Sequence, residues 1–259
     1  LAAQSLVIDG YSAPRMTMET NFMGTVNILE CCRKFEPKAV LIVTSDKVYT
    51  PGSTSQKEND SLGGGCPYSS SKAASEMAVL GYQNLLPRTS VATVRAGNVI
   101  GAGDRGRHRL LTDMIDAWEN KETMFIRFPS ATRPWQHVLD CLQGYLLLIE
   151  RLLERKDAFG QWNFAPEKSS SVQELVDIVR SISWIDINFD LGSNLILENQ
   201  FLEIDSTKAQ EILGWKSMYS LKIALEVLFF DEVQLKHVRN PFEVRKIVED
   251  RIDEFSLLY

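Results

Sequence analysis

The chain has 259 residues, 28 of them lysine or arginine and 34 aspartate or glutamate, for a net charge of −6. That length supports one large domain or two coupled lobes, and mild acidity argues against binding nucleic acid through bulk charge. No apolar run approaches the roughly 18 residues of a membrane span; the stretch from Tyr145 to Leu153 is broken by Glu150 and Arg151. The opening residues, LAAQSLV, read as the end of a strand whose beginning is missing. Apolar residues then recur at helical spacing from Met16 to Lys34. Lys38 to Thr44 is β-branched and uninterrupted, as a strand buried on both faces in a parallel sheet should be.

Thr50 to Pro67 is rich in glycine, serine and proline and reads as a long loop, a class that tends to be functional. A helix follows from Tyr68 to Leu86, with Pro67 in its first turn. Ser90 to Ala96 is a second buried strand, Gly97 to Gly106 a loop, and Leu110 to Glu119 a helix. Beyond it come a short strand at Met124 to Arg127, a helix from Val138 to Glu154, and a strand and turn at Trp162 to Pro166. Ser171 and Glu174 have capping-box spacing ahead of an amphipathic helix that reaches Ile182. A charged helix runs from Pro241 to Phe255 and reads as solvated rather than as an assembly element.

Alternating strands and helices imply an α/β fold with a doubly wound parallel sheet. Ligands of such sheets sit at the carboxyl ends of the strands, so Thr44 and Ala96, which both end strands, should face one crevice. The four cysteines, Cys31, Cys32, Cys66 and Cys141, include no CxxC, which points to a reducing, cytoplasmic location. His108, His137 and His237 have no ligand-like spacing, so no metal is expected.

Chemistry concentrates at TSDK (Thr44 to Lys47), where a buried strand ends in an acid beside an amine, and at Tyr68 and Lys72, which form YxxxK on a helix. Residues four apart share a helix face, and an ammonium beside a phenol favours the phenolate. Alone, YxxxK is a weak signal that a surface i,i+4 contact explains better. Its company is more specific. NFMGTVNILE (Asn21 to Glu30), TSDKVY, PYSSSKAASE (Pro67 to Glu76), VRAGNVIGAGD (Val94 to Asp104), RPWQHV (Arg133 to Val138) and WNFAP occur in a fixed order. The set resembles the extended short-chain dehydrogenase/reductases, and among them the CDP-glucose 4,6-dehydratases. The resemblance is strong over the first two-thirds and continues faintly to LGW (Leu213 to Trp215).

What the resemblance implies is an internal redox dehydration of a sugar nucleotide such as CDP-glucose, using NAD, for deoxysugar synthesis. Tyr68 would take the 4-hydroxyl proton with Lys72 in support, Lys47 would remove the C5 proton, and Asp46 would protonate the departing 6-hydroxyl. That demands a dry pocket, because the reference pKa values of Asp and Lys, about 3.9 and 10.4, prescribe the opposite charges. An exposed ion pair in a turn is the alternative for Asp46 and Lys47. Thr44 would hold the 4-hydroxyl or cap the strand end. Ala2, Ala3, Thr44, Ser45, Tyr68, Lys72, Ala96, Asn98 and Val99 resemble cofactor neighbours. Asn98, Arg109, Arg133 and Asn163 resemble substrate contacts; Asn163 could equally satisfy backbone groups, and Trp135 could be core.

The family's GxxGxxG turn does not occur, and Gly63 to Gly65 lies in the wrong loop. By comparison the chain lacks on the order of 80 residues of the dinucleotide half, so an incomplete Rossmann-like sheet with a smaller α+β substrate lobe is expected. The expected division is 1–105 for the dinucleotide part, 106–235 for the substrate lobe with returns to the sheet, and 236–259 for a helical tail. The resemblance also implies a homodimer or higher homo-oligomer, one of whose helices is Tyr68 to Leu86. Another NAD-dependent dehydratase or epimerase, or an inert binding or oligomerisation module, fits the same scaffold.

Overall fold

Strands made almost wholly of apolar and β-branched side chains must be covered on both faces, and the computed structural model meets that need with a parallel sheet and flanking helices. It describes residues 1–52, 54–106, 108–154, 159–192 and 201–258. The helices are α1 (Val7–Ser12), α2 (Pro14–Met18), α3 (Gly24–Phe35), α4 (Pro67–Tyr82), α5 (Leu110–Asn120), α6 (Val138–Leu153), α7 (Val172–Ser181), α8 (Thr207–Leu213), α9 (Leu221–Lys236) and α10 (Pro241–Ser256). The strands are β1 (Ala39–Val43), β2 (Ser90–Ala96), β3 (Asn98–Ile100), β4 (Thr123–Ile126), β5 (Thr132–Arg133), β6 (Trp135–His137), β7 (Gly160–Phe164), β8 (Ser170–Ser171) and β9 (Asn188–Leu191).

The chain divides into two units. The first is Leu1–Gly97, Leu142–Glu167 and Phe201–Lys216. Its sheet has the order β1-β2-β7, all parallel, with Val43 beside Val94 and Val94 beside Trp162. Side chains alternate across it. Ile42 and Val91 face α3 and α4, where Leu29, Cys32, Val79 and Leu86 close an apolar layer. On the other face, Phe164 stacks edge-on against Tyr145 and Trp215. Gly144 allows this approach, since a Cβ there would stand 2.5 Å from the Phe164 ring. Gly214, at φ +67°, ends α8 in the left-handed turn that delivers buried Trp215.

The second unit is Asn98–Cys141, Lys168–Gln200 and Ser217–Tyr259. It pairs strands two by two: β3 with β6 and β4 with β9 in parallel, β5 with β8 antiparallel. Met114, Ile126, Leu175, Val176, Leu225 and Phe229 form its core. The Asp140 carboxylate accepts the Met218 and Tyr219 N–H groups, and a buried Asp231–Arg251 pair fastens α10 to α9. Residues 98–105 therefore fall in this unit, and 236–259 are part of it rather than a separate tail.

Several boundaries follow the sequence closely: Ser90–Ala96 is β2, and Ser171 with Glu174 forms both halves of a capping box before α7. Two expectations change. Residues 1–6 form no strand among the described residues; Gln4 instead exchanges backbone hydrogen bonds with the Asn21 side chain at 2.8 and 2.9 Å. The helix expected from Met16 to Lys34 is interrupted by a π-helical turn at Glu19–Met23. That wider turn accommodates Asn21 in the interior. No described helix is long and apolar enough to cross a membrane.

Candidate active site

β1 ends where the side chains become polar, but pairing continues one residue further, with the Thr44 N–H donating to the Val94 carbonyl at 2.9 Å. The chain then enters a 3-10 turn, Asp46–Val48. Ser45 caps it: its hydroxyl accepts the Lys47 N–H at 3.2 Å and donates to Asp46 Oδ1 at 3.0 Å. Asp46 is only 3% exposed, which excludes the exposed-turn reading for that carboxyl. Lys47 beside it is half-buried.

The turn packs against α4. Cys66 caps that helix, its Sγ accepting the Ser69 N–H, and Pro67 occupies the first turn. Tyr68 and Lys72 are both buried on α4. Lys72 Nζ donates to the Val43 carbonyl at 3.0 Å, one residue before Thr44. Burial pushes the Lys72 amine below the ordinary lysine range, and the charge of Glu76 opposes that shift. Gly10 of α1 lies against the Tyr68 backbone, where an added Cβ would stand 3.1 Å from its nitrogen. Asn21 donates both to Gln4 and to Ser71 of α4, so the segment holding Ala2 and Ala3 is fastened near the same helix.

Beneath these groups lies a polar layer that the sequence reading passed over. Glu76, four residues after Lys72, accepts from Thr44 Oγ1 at 2.5 Å, Thr93 Oγ1 at 2.7 Å, Arg95 Nε at 2.9 Å and Arg95 Nη2 at 3.1 Å. Thr44, Thr93 and Arg95 share the sheet face turned to α4. The Thr44 hydroxyl has one proton, and it is directed to Glu76 with the Val94 carbonyl as a longer partner. Thr44 therefore takes the strand-end role, and Ser45 is the hydroxyl beside Asp46. A lone charge in an otherwise uncharged buried strand, Arg95, was the available signal, because such a charge must find a partner.

The loop from Thr50 to Cys66 is pinned at its middle. Tyr49 bridges Leu62, and Gln56 bridges Ile204. Arg95 Nη1 donates to the Glu58 carbonyl at 2.9 Å and to the Tyr49 hydroxyl at 2.8 Å. Burial pushes the Tyr49 phenol up to about 12. Asn163 is fully buried in the same network: Nδ2 donates to the Gln56 and Asp205 carbonyls, Oδ1 accepts the Tyr49 hydroxyl, and its N–H donates to Glu58. Both amide protons are spent inside the fold, as in the backbone-satisfying alternative for Asn163.

Thr44, Ser45, Asp46, Lys47, Tyr68, Lys72 and Ala96 are thus carried by adjoining elements of the first unit. Asn98, Val99, Arg109 and Arg133 belong to the second. There Asn98 and Val99 pair with Trp135 and Gln136, and the Val99 side chain is exposed. Arg109 bonds Asp104 at 2.6 Å. Arg133 is buried and donates to the Thr132 carbonyl. Trp135 is core, with its indole N–H on the Ser170 carbonyl. Among the described residues no group of three metal-ligating side chains occurs.

Comparison with known proteins follows this geometry. The family description GDP-mannose 4,6 dehydratase matches residues 1–227. A CDP-glucose 4,6-dehydratase of Salmonella typhimurium is 37% identical over 236 residues, covering 85% of this chain; the chain spans 66% of that relative's length. A UDP-glucuronic acid 4-epimerase from Bacillus cereus, solved with UDP-glucuronic acid and NAD, superposes with a TM-score of 0.82 at 20% identity, covering 91% of this chain and 74% of that one. A dTDP-glucose 4,6-dehydratase from Streptomyces venezuelae, solved with NAD, gives 0.74 at 21% identity, covering 88% and 70%. At such identities these two structures establish the fold alone.

Proposed function

The chain belongs to the GDP-mannose 4,6 dehydratase family of extended short-chain dehydrogenase/reductases, and from that premise we propose that it carries the proton-transfer machinery of a CDP-glucose 4,6-dehydratase. The observation that carries the reading is a buried acid beside an amine, Asp46 and Lys47, on a turn packed against the helix of Tyr68 and Lys72. The 37% identity to a CDP-glucose 4,6-dehydratase supports the choice of nucleotide.

The cofactor implied is NAD. A buried amine four residues from a buried tyrosine suits the nicotinamide ribose, whereas no GxxGxxG turn for the diphosphate occurs in the 259 residues. The residues present fit the nicotinamide half, with Ala2, Ala3, Ser45, Tyr68, Lys72 and Ala96 as its neighbours. When bound, NAD would accept hydride from the sugar C4 and return it to C6.

The rest is proton traffic. Tyr68 takes the 4-hydroxyl proton, and Lys72 supports the phenolate electrostatically. Ser45 holds the Asp46 carboxyl on the turn. Oxidation at C4 acidifies the C5 hydrogen, which Lys47 removes. Asp46 gives its proton to the departing 6-hydroxyl and water leaves; as hydride returned to C6, the Lys47 ammonium would give its proton back to C5, and exchange with solvent would return the proton held by Tyr68 and restore that of Asp46, so the net change is loss of one water. Burial of Asp46 beside Lys47 on the turn supports this role. In the second unit, Arg133 is the proposed diphosphate contact and Arg109 a proposed nucleotide-side residue; Asn98 is a proposed neighbour of both sugar nucleotide and cofactor, and Val99 of the cofactor.

The test is turnover of CDP-glucose against UDP-, GDP- and dTDP-glucose in the presence of NAD, read by the ultraviolet band of the 4-keto product and by loss of water in the mass. Preference for CDP-glucose with water loss supports the reading. Interconversion at C4 without water loss would instead make the protein an epimerase on the same scaffold.

A further inference from the structure

The Arg95–Glu76 pair is 1% and 0% exposed. Burying two charges costs several kcal/mol per ion before their attraction offsets it, and an apolar pair of similar volume often serves stability as well. This pair therefore calls for a use beyond holding the fold. Its connections supply one. Glu76 fills its acceptor sites with Thr44 from the strand end, Thr93 and Arg95 from β2. Arg95 continues to Tyr49, just past the Asp46–Val48 turn, and to the Glu58 carbonyl in the pinned loop. Glu76 also lies on the α4 face of Tyr68 and Lys72, at spacings of eight and four residues.

We propose that Glu76 is a positioning residue for the proton relay: its carboxylate fixes the turn of Asp46 and Lys47 against α4 and holds Lys72 cationic beneath Tyr68. The proposal rests on the functional reading above. Other titratable groups on elements next to α4 are accounted for. Asp46, Lys47 and Tyr49 come from the turn, Glu58 from the loop, and Asp9 and Tyr11 from α1. Arg15 of α2 and Glu19 of the π turn pair with each other in solvent. Glu30 of α3 is engaged by Arg33 of the same helix and by Tyr82 at the end of α4.

The test compares wild type with Glu76→Gln, which keeps the size and removes the charge. The Lys72 amine is followed by lysine side-chain NMR, assigned with Lys72→Arg and read without substrate. Its titration should move to lower pH by about one unit. The acid limb of kcat/KM should move upward, because a less cationic Lys72 supports the Tyr68 phenolate less, while KM stays within about threefold. A purely structural Glu76 would leave both titrations where they are, and that result overturns the proposal. Should Glu76→Gln fail to fold, Glu76→Gln with Arg95→Met removes both charges, and the Lys72 titration must still be displaced from wild type. A folded double variant with an unchanged titration is equally fatal. A wild-type chain without turnover counts against the functional reading alone.

Discussion

Lys72 Nζ donates to the carbonyl of Val43 at 3.0 Å, joining the helix of Tyr68 to the last residue of the strand that leads into Asp46 and Lys47. This hydrogen bond, with Thr44 on Glu76, ties the turn of Asp46 and Lys47 to the helix of Tyr68 and Lys72. Lys72→Met keeps most of the buried stem and deletes the charge. Turnover of CDP-glucose should fall by about 10²–10⁴-fold, the usual contribution of positioned acid–base groups. Stability near pH 7 should not fall, because the buried amine is itself a desolvation cost. Parallel rates and thermal melts check both halves; a variant with near-normal turnover removes Lys72 from the mechanism.

In the proposed function Asp46 and Lys47 serve water loss, not oxidation at C4. Lys47→Met and Asp46→Asn should therefore separate the two half-reactions. Bound sugar should still be oxidised, seen as accumulation of reduced cofactor, while release of the 6-deoxy-4-keto product drops by about 10²-fold or more. Exchange of the C5 hydrogen with deuterated water should disappear in Lys47→Met and persist in Asp46→Asn. Persistence of exchange in the lysine variant would identify a different base.

Asn163 makes four hydrogen bonds inside the first unit, counting its own N–H. Asn163→Leu removes the partner of the Asp205 carbonyl and of the Tyr49 hydroxyl proton, while the Gln56 carbonyl keeps the Asp205 N–H; it should cost roughly 2–6 kcal/mol, from about 1–3 kcal/mol for each of the two buried groups left unsatisfied. KM for the sugar nucleotide should be unchanged in whatever fraction folds. A normal denaturation midpoint with a raised KM would restore the substrate role that the sequence suggested.

The sequence made some of this legible and hid the rest for physical reasons. The apolar, β-branched runs at Ala39–Val43 and Ser90–Ala96, the second broken only by Arg95, announce buried parallel strands because few other arrangements cover them. The TSDK and YxxxK segments could be joined because each lies at an identifiable strand end or helix start. Glu76 and Arg95 escaped notice because a charge in a helix pattern reads as solvated, and one arginine barely alters the character of a strand. Their partnership depends on which sheet face Arg95 takes, a tertiary fact. The helix α9 was missed for a related reason: Leu225, Leu228 and Phe229 are buried but Phe230 and Ile223 are exposed, so no clean stripe marks it.

His137, at 2% exposure in the second unit, offers a pH signature independent of catalysis. Its Nδ1 accepts the Leu139 N–H at 3.2 Å, and its ring packs edge-on against Tyr219. Burial, with a smaller contribution from the Arg251 charge, pushes its pKa down from 6.5 to about 4. The unfolded chain therefore binds a proton between those values that the folded chain refuses. Stability from this group is complete above about pH 6.5 and drains away as pH falls towards 4. The loss reaches roughly 3 kcal/mol at about 1.4 kcal/mol per pKa unit. His137→Asn retains an acceptor for Leu139 and cannot titrate, so urea unfolding between pH 7 and 4 should show a shallower decline by about that amount. Parallel declines in the two proteins would mean that His137 charges in the folded state as readily as in water.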